Sequence, residues 1–111
     1  MKYHSKKTVI DSHTFDSRKE ATRYLVLKGE EKAGWISELE MQVKYELIPA
    51  IYEGKGKDRK CIQRACNYYA DFKYIKDGRT IVEDTKGFRT KEYLIKKKLM
   101  RWRYGIDIQE T

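Results

Sequence analysis

Residues 82–87 read VEDTKG, two acids and a lysine inside a β-branched run closed by glycine. Asp and Glu fit the pleated, half-buried surface of a strand poorly, so their place here asks for a reason. Just upstream, Asp77-Gly78 is a two-residue hairpin signal, because a type I′ turn needs positive φ at both central positions. With these as the turn residues the register is set: Lys76 faces Arg79, Phe72 faces Glu83, Asp71 faces Asp84 and Tyr69 faces Lys86. Opposed residues share one face of a sheet. Tyr69, Asp71, Asp84 and Lys86 are therefore gathered together, while Glu83 turns away opposite Phe72 as an ordinary exposed strand acid. A three-residue turn would slip the pairing and part the acids.

Two directly opposed carboxylates are destabilising unless something neutralises them. A divalent cation does so naturally: Mg²⁺ prefers oxygen ligands and often takes only one or two carboxylates, completing its shell with water and phosphate. Such a cation lowers the pKa of a bound water and stabilises negative charge developing on phosphate. Lys86, on the same face, would hold a water or a phosphate oxygen beside it. The plainer alternative is an exposed polar face on which Lys86 shields both acids.

The elements that must position these residues are legible in outline. Residues 8–15 predict a short hairpin turning near Asp11-Ser12. A helix follows over residues 15–34, with Ser17 and Glu20 at capping-box spacing and Gly34 as its stop. Its expected inward stripe is Ala21, Tyr24, Leu25 and Lys28. In LEMQVKYEL (39–47) apolar and polar residues alternate strictly, the mark of a strand with one buried face, and Pro49 ends it. Residues 53–60 read as a flexible basic loop; Gly54 and Gly56 lack the further pattern of a phosphate-binding loop. Lys57, Arg59 and the nearby Arg64 are candidate DNA contacts there, against the alternative of a merely solvated loop.

Two strands around Asp77-Gly78 lead into a second helix, residues 88–105, with Thr90 as N-cap and Gly105 as stop. IDIQE (106–110) closes the chain as a strand, so strand, helix and strand imply a right-handed parallel crossover. The order is α-β-β-β-α-β, an α/β fold with a mixed β-sheet flanked by two helices. On the second helix the stripe of Ile95, Leu99 and Trp102 is expected to pack on the sheet. That leaves Tyr93, Met100 and Tyr104 for a homodimer interface. Among its basic residues, Lys96, Lys97 and Arg101 are candidate DNA contacts, with Lys97 nearest the scissile phosphate; the others read as a solvated face.

A chain of 111 residues suits a single domain with one modest core. Lys and Arg number 25 against 17 acids, a net charge of +8 that favours polyanionic partners, chiefly DNA, over incidental basicity. No apolar run approaches the roughly 20 residues of a membrane helix, and the N-terminus lacks the apolar core of a secretory signal. A cytoplasmic domain is expected. Cys61 and Cys66 have no second Cys or His pair near them, so zinc is not expected and the cysteines read as reduced thiols.

Asp71, a hairpin, then Asp84-Thr85-Lys86, preceded by a helix with Glu20, resembles the PD-(D/E)XK nuclease superfamily of restriction-endonuclease-like enzymes and Holliday junction resolvases. More closely, FDSRKEATRYLVL, YELIPA, RACNYYADF, VEDTKG and YLIKKKLM resemble a family of small phage and prophage proteins in that superfamily, nearly from Lys7 to Glu110. The resemblance implies a restriction-endonuclease-like core and a Mg²⁺- or Mn²⁺-dependent deoxyribonuclease working in a bacterial host cytoplasm. It implies metal binding by Asp71 and Asp84, with the Thr85 carbonyl a further ligand and Lys86 as catalytic lysine. Glu20 would match the helical glutamate that binds metal directly or through water; its rival role is the Ser17 capping box. Ala70 stands where the motif has proline. Structure-selective cutting of branched or four-way-junction DNA by a homodimer is one expectation. A non-catalytic nucleic-acid-binding protein on the same fold is another, and a phage regulatory protein with incidental charge a third.

Overall fold

The computed structural model describes residues 7–85 and 88–111. Asp11 and Ser12 both take positive φ, 50° and 66°, and close the hairpin of β1 (Thr8–Ile10) and β2 (His13–Phe15) where the sequence places it. Helix α1 (Arg18–Lys32) starts at Ser17, whose Oγ accepts from the Glu20 amide at 3.2 Å. It stops at Gly34, with φ of 80°, where the Trp35 amide reaches back to the Glu30 carbonyl at 2.9 Å.

The main sheet has four strands in the order β3 (Ser37–Ile48), β6 (Cys66–Lys76), β7 (Arg79–Asp84), β8 (Gln109–Glu110). β3, β6 and β7 are antiparallel. β8 returns parallel to β7 after helix α2 (Lys91–Tyr104), so the sheet is mixed and the expected α-β-β-β-α-β order is present. Asp77 and Gly78 have φ of 51° and 74°, and the pairing runs from Lys76↔Arg79 to Phe72↔Glu83, as the two-residue turn requires. Two hairpins are added to this core: β1–β2, and β4 (Ile51–Glu53) with β5 (Lys60–Gln63), joined through a short 3₁₀ turn at Gly56–Asp58. The stretch expected as a loop, residues 53–60, is the turn of this second hairpin; the strands on either side of it are not among those expected.

The core is in two parts. Phe72 and Tyr74 of β6 pack with Tyr24 and Leu27 of α1; Tyr68 and Ala70 of the same strand pack with Tyr93 and Met100 of α2. The division falls at Asp71. On β7, Val82 joins the α2 cluster, while Glu83, opposed to Phe72, faces α1.

Three sequence expectations about faces are corrected. Leu25 is 53% exposed and Leu27 is buried in its place, because the inward stripe of α1 is centred on Glu20, Tyr24 and Leu27. The polar members of that stripe find partners: the Tyr24 hydroxyl donates to Asp11 at 3.0 Å, and the Gln42 amide donates to Glu20 at 3.0 Å. On α2 the two stripes are partly exchanged. Tyr93 and Met100 are buried, whereas Ile95 and Trp102 are 58% and 79% exposed; Leu99 packs against the core as expected, and Tyr104 stays exposed. The Tyr93 hydroxyl can go inward because it donates to Glu110 at 2.7 Å. Finally, Glu83 faces away from Asp84 as expected but is fully buried, not exposed. The Arg23 guanidinium grips it at 2.8 and 2.7 Å, and Tyr74 donates its hydroxyl to the same carboxylate. Among the described residues no helix is long and apolar enough to cross a membrane. Cys61 and Cys66 are free thiols.

Candidate active site

Asp71 sits where β6 passes from one core cluster to the other, and its carboxylate is held from two sides. The Thr85 amide and hydroxyl both donate to Oδ2 at 2.8 Å, and the Gln42 side-chain amide lies 3.4 Å from Oδ1. Thr85 is the first residue past β7, one step beyond Asp84, and from there its amide and hydroxyl reach the Asp71 carboxylate. The expected role of Thr85 was its carbonyl; its amide and hydroxyl are what touch Asp71.

Gln42 links this acid to the helix. Its Nε2 also donates to Glu20 Oε1 at 3.0 Å. It lies between the Met41↔Phe72 and Val43↔Ala70 pairs, across from Asp71, with φ of 50°. A non-glycine strand residue in that region is strained, at a cost of about 1–3 kcal/mol, and such strain is concentrated at sites where function holds it. Sequence reasoning missed Gln42, seeing only one of a polar row on β3. The signal was available in principle: it is the uncharged member of Glu40, Gln42, Lys44 and Glu46, and it stands level with Asp71 once β3 is paired with β6.

Glu20 divides its two proposed roles between backbone and side chain. Its amide serves the Ser17 cap, and its carboxylate points inward to Gln42. The carboxyl is pushed up to about 7, first by burial, then by Asp71 and Asp16 and, more weakly, by Asp84, with the Gln42 hydrogen bond opposing. Asp84 is buried, and Tyr68 donates its hydroxyl to Oδ2 at 2.5 Å. The partner from β6 is thus Tyr68, not the expected Tyr69, which is half exposed. Burial and then the Asp84 carboxylate raise the Tyr68 phenol well above its ordinary value, so it remains a donor at any working pH.

Glu20, Asp71, Thr85 and Asp84 are therefore brought together. Lys86, the expected catalytic lysine, lies outside the described residues. Among the described residues no three carboxylate, imidazole or thiol groups form a ready-made metal cage. The donor set is instead two hydrogen-bonded aspartates with a third carboxyl crowded against them. It suits a hard, oxygen-preferring divalent cation that keeps water and phosphate in its shell.

Two clefts flank the cluster. One, about 410 Å³, is lined by Arg18, Lys19, Thr22 and Val26 of α1 with Thr85. The other, about 250 Å³, lies between Tyr68, Tyr69, Thr90, Tyr93 and Lys96. The basic residues of α2 are less available than their number suggests. Lys96 pairs with Glu92 at 3.1 Å, Lys97 with Glu110 at 3.3 Å and Arg101 with Asp107 at 2.5 Å. Lys97 still stands close to the acids, since Glu110 is the residue of β8 opposite Asp84. Tyr93, then Lys97 and Arg89, hold Glu110 below the usual carboxylate range. Lys57, Arg59 and Arg64 belong to the β4–β5 ribbon and its base, away from this cluster in the chain.

Compared with known families, residues 1–111 match one described as a protein of unknown function, DUF1064. The chain belongs to the DUF1064 family. No curated protein and no solved structure matches this DUF1064 chain. What its site does must be read from the carboxylates themselves.

Proposed function

We propose that this DUF1064 protein is a metal-dependent DNA endonuclease with a restriction-endonuclease-like core, hydrolysing phosphodiester bonds with Mg²⁺ or Mn²⁺. The observation that carries the reading is the convergence of Asp71 and Asp84, from adjacent strands, with Glu20 from α1 through Gln42 and Thr85. Neighbouring acids cost stability when, as here, Glu20 and Asp84 are buried and Asp71 is half-buried, and hydrogen bonds from Thr85, Gln42 and Tyr68 fix their direction. A purely structural role would be served at lower cost by apolar residues.

Asp71 and Asp84 would hold the cation, with Glu20 beside them. When bound, the cation neutralises this charge and polarises the phosphate. Glu20, tied to Asp71 through the Gln42 amide, would take a proton from the attacking water. Lys86, next in sequence after Thr85, is the group assigned to steady the attacked phosphate. Tyr68 and Gln42 orient the acids without touching substrate. The likeness to the PD-(D/E)XK superfamily implies 5′-phosphate and 3′-hydroxyl products. It also supports structure-selective cutting of branched or four-way-junction DNA. A homodimer would offer two such sites to two strands, and the exposed Ile95–Trp102 stripe is the surface that suits the pairing.

The test is cleavage of linear, nicked and four-way-junction DNA with Mg²⁺ or EDTA, beside Asp84→Ala. Cutting that needs Mg²⁺ and is lost in Asp84→Ala is expected. Cutting that survives either change refutes the site, and tight binding without cutting on every substrate assigns a non-catalytic nucleic-acid-binding role.

A further inference from the structure

β4 and β5 leave the body of the protein as a continuation of the β3–β6 hairpin beyond Pro49 and Ala65. Every residue of both strands is exposed, including Ile51, Tyr52 and Ile62. The ribbon therefore gives nothing to either core. The radius of gyration, 16.9 Å, exceeds the about 13 Å expected of a compact chain of this length, in keeping with an arm that stands clear.

An isolated two-stranded hairpin is at best marginally stable in water. This one also exposes large apolar side chains and concentrates positive charge: Lys55, Lys57, Arg59, Lys60 and Arg64 meet only Glu53 and Asp58 as nearby acids in the sequence. Among the described residues none of these five cations has a carboxylate within ion-pair distance, unlike Lys96, Lys97 and Arg101 of α2. Arg59 lies over the Tyr52 ring at 4.5 Å, which stiffens the ribbon while leaving its charge outward. A two-stranded β-ribbon is one of the shapes that the major groove, about 12 Å wide, admits.

The position of the arm gives the span of its contact. From Asp71 to Cys66, the arm-side end of β6, is about 17 Å along the strand, and the ribbon reaches about 20 Å further. At 3.4 Å per base pair this covers about 5–11 base pairs from the carboxylates. We propose that the β4–β5 ribbon is a duplex-DNA arm, seated in the major groove about 5–11 base pairs from the phosphate held at Asp71 and Asp84. This assignment rests on the nuclease reading only for the position of that phosphate; the arm's affinity for duplex is independent of cutting.

The experiment measures binding to blunt duplexes of increasing length, in EDTA, across salt concentrations, for the intact chain and for a variant with Lys55, Lys57, Arg59 and Lys60 each changed to Gln. On duplexes longer than a helical turn the variant is expected to lose at least about tenfold in affinity at 0.1 M salt, with a salt slope shallower by about 2–4. On duplexes of about 6 base pairs, which offer the arm fewer phosphates, the variant should lose less affinity than on long ones, and the thermal midpoints of the two proteins should agree. Equal affinities and slopes at all lengths overturn the proposal, as does a loss that is the same on short and long duplexes. A variant that differs only in becoming monomeric by light scattering also overturns it, making the ribbon a contact between copies of this chain. If the arm effect is present and no DNA is cut under any condition, the nuclease reading fails and the arm stands.

Discussion

Replacing Arg23 by Met should unfold this protein far more easily than a single surface substitution would. Glu83 is fully buried on the α1 face of β7, and its two oxygens are taken by Arg23 Nε and Nη2 at 2.8 and 2.7 Å. In Arg23→Met the carboxylate keeps the Tyr74 hydroxyl but loses its counter-charge. Breaking a buried pair from one side costs about 3–5 kcal/mol, because an uncompensated charge remains inside. For a chain of this size about 1 kcal/mol moves the thermal midpoint by about 4 °C, so the expected fall is roughly 12–20 °C. Urea denaturation in EDTA, followed by circular dichroism, reads the same loss as a lower midpoint with unchanged slope. The double variant Arg23→Met/Glu83→Met removes both charges, at the cost of the acceptor for the Tyr74 hydroxyl, and should recover part of the loss. A cost below about 1 kcal/mol for Arg23→Met, or a double variant no more stable than the single one, refutes the claim that the buried Glu83 carboxylate depends on Arg23 for its counter-charge.

Glu20 gives a prediction in pH. Its carboxyl titrates at about 7 in the folded chain against an ordinary 4.5, so the folded state holds the extra proton between those values. Stability without divalent cations should therefore fall as pH rises from about 4.5 through about 7, by ~1–2 kcal/mol after allowance for solvent screening. Glu20→Gln should abolish that slope in thermal melts in EDTA; a slope of the same size in the variant assigns it elsewhere. Tyr68→Phe removes the hydroxyl donor to Asp84. It should lower the rate of Mg²⁺-dependent cleavage about 10–100-fold with DNA affinity in EDTA unchanged, and an unaltered rate would strip Tyr68 of its positioning role. Ile95→Ser/Trp102→Ser changes two exposed side chains. Light scattering should show a dimer converted to monomer with stability within about 0.5 kcal/mol; a dimer that persists places the interface on another face.

Much of this arrangement is legible in the sequence because it follows from local rules. Asp77-Gly78 dictates a turn, and the turn alone carries the pairing out to Phe72↔Glu83. Thr90 and Gly105 bound α2 for the same kind of reason, a side-chain cap and a left-handed stop. What could not be read is which polar groups would be buried. Ranking stripes by hydrophobicity sends Leu25 and Trp102 inward. The helical wheel does put Glu20 on the Tyr24/Leu27 side, facing the sheet. The fold also buries Glu83 and Tyr93, because Arg23 and Glu110 meet them; those partners are 60 and 17 residues away, so no local pattern announces them. The ribbon was hidden differently: its glycines and lysines read as a loop, and only continuation of the β3–β6 pairing makes strands of its flanks.

The two faces of β7 explain why adjacent acids in Glu83-Asp84 take different work. Glu83 is closed off by α1: its oxygens are occupied by Arg23 and Tyr74, and it has no exposed surface. Asp84 lies on the side of α2, beside Tyr68 and level with Glu110 of β8, and just past it the Thr85 amide and hydroxyl turn to Asp71. Asp71 itself stands at the point where β6 exchanges one core cluster for the other. Its direction is thus referred to both helices at once, through Gln42 and Glu20 to α1 and, by way of its neighbours Ala70 and Tyr68 on β6, to the α2 cluster. A pair of acids needed only for solubility would not require that double reference. The proposed nuclease site, which must present its oxygens to one ion and one phosphate, would require it, and on that proposal the strained backbone of Gln42 is the cost of keeping them there.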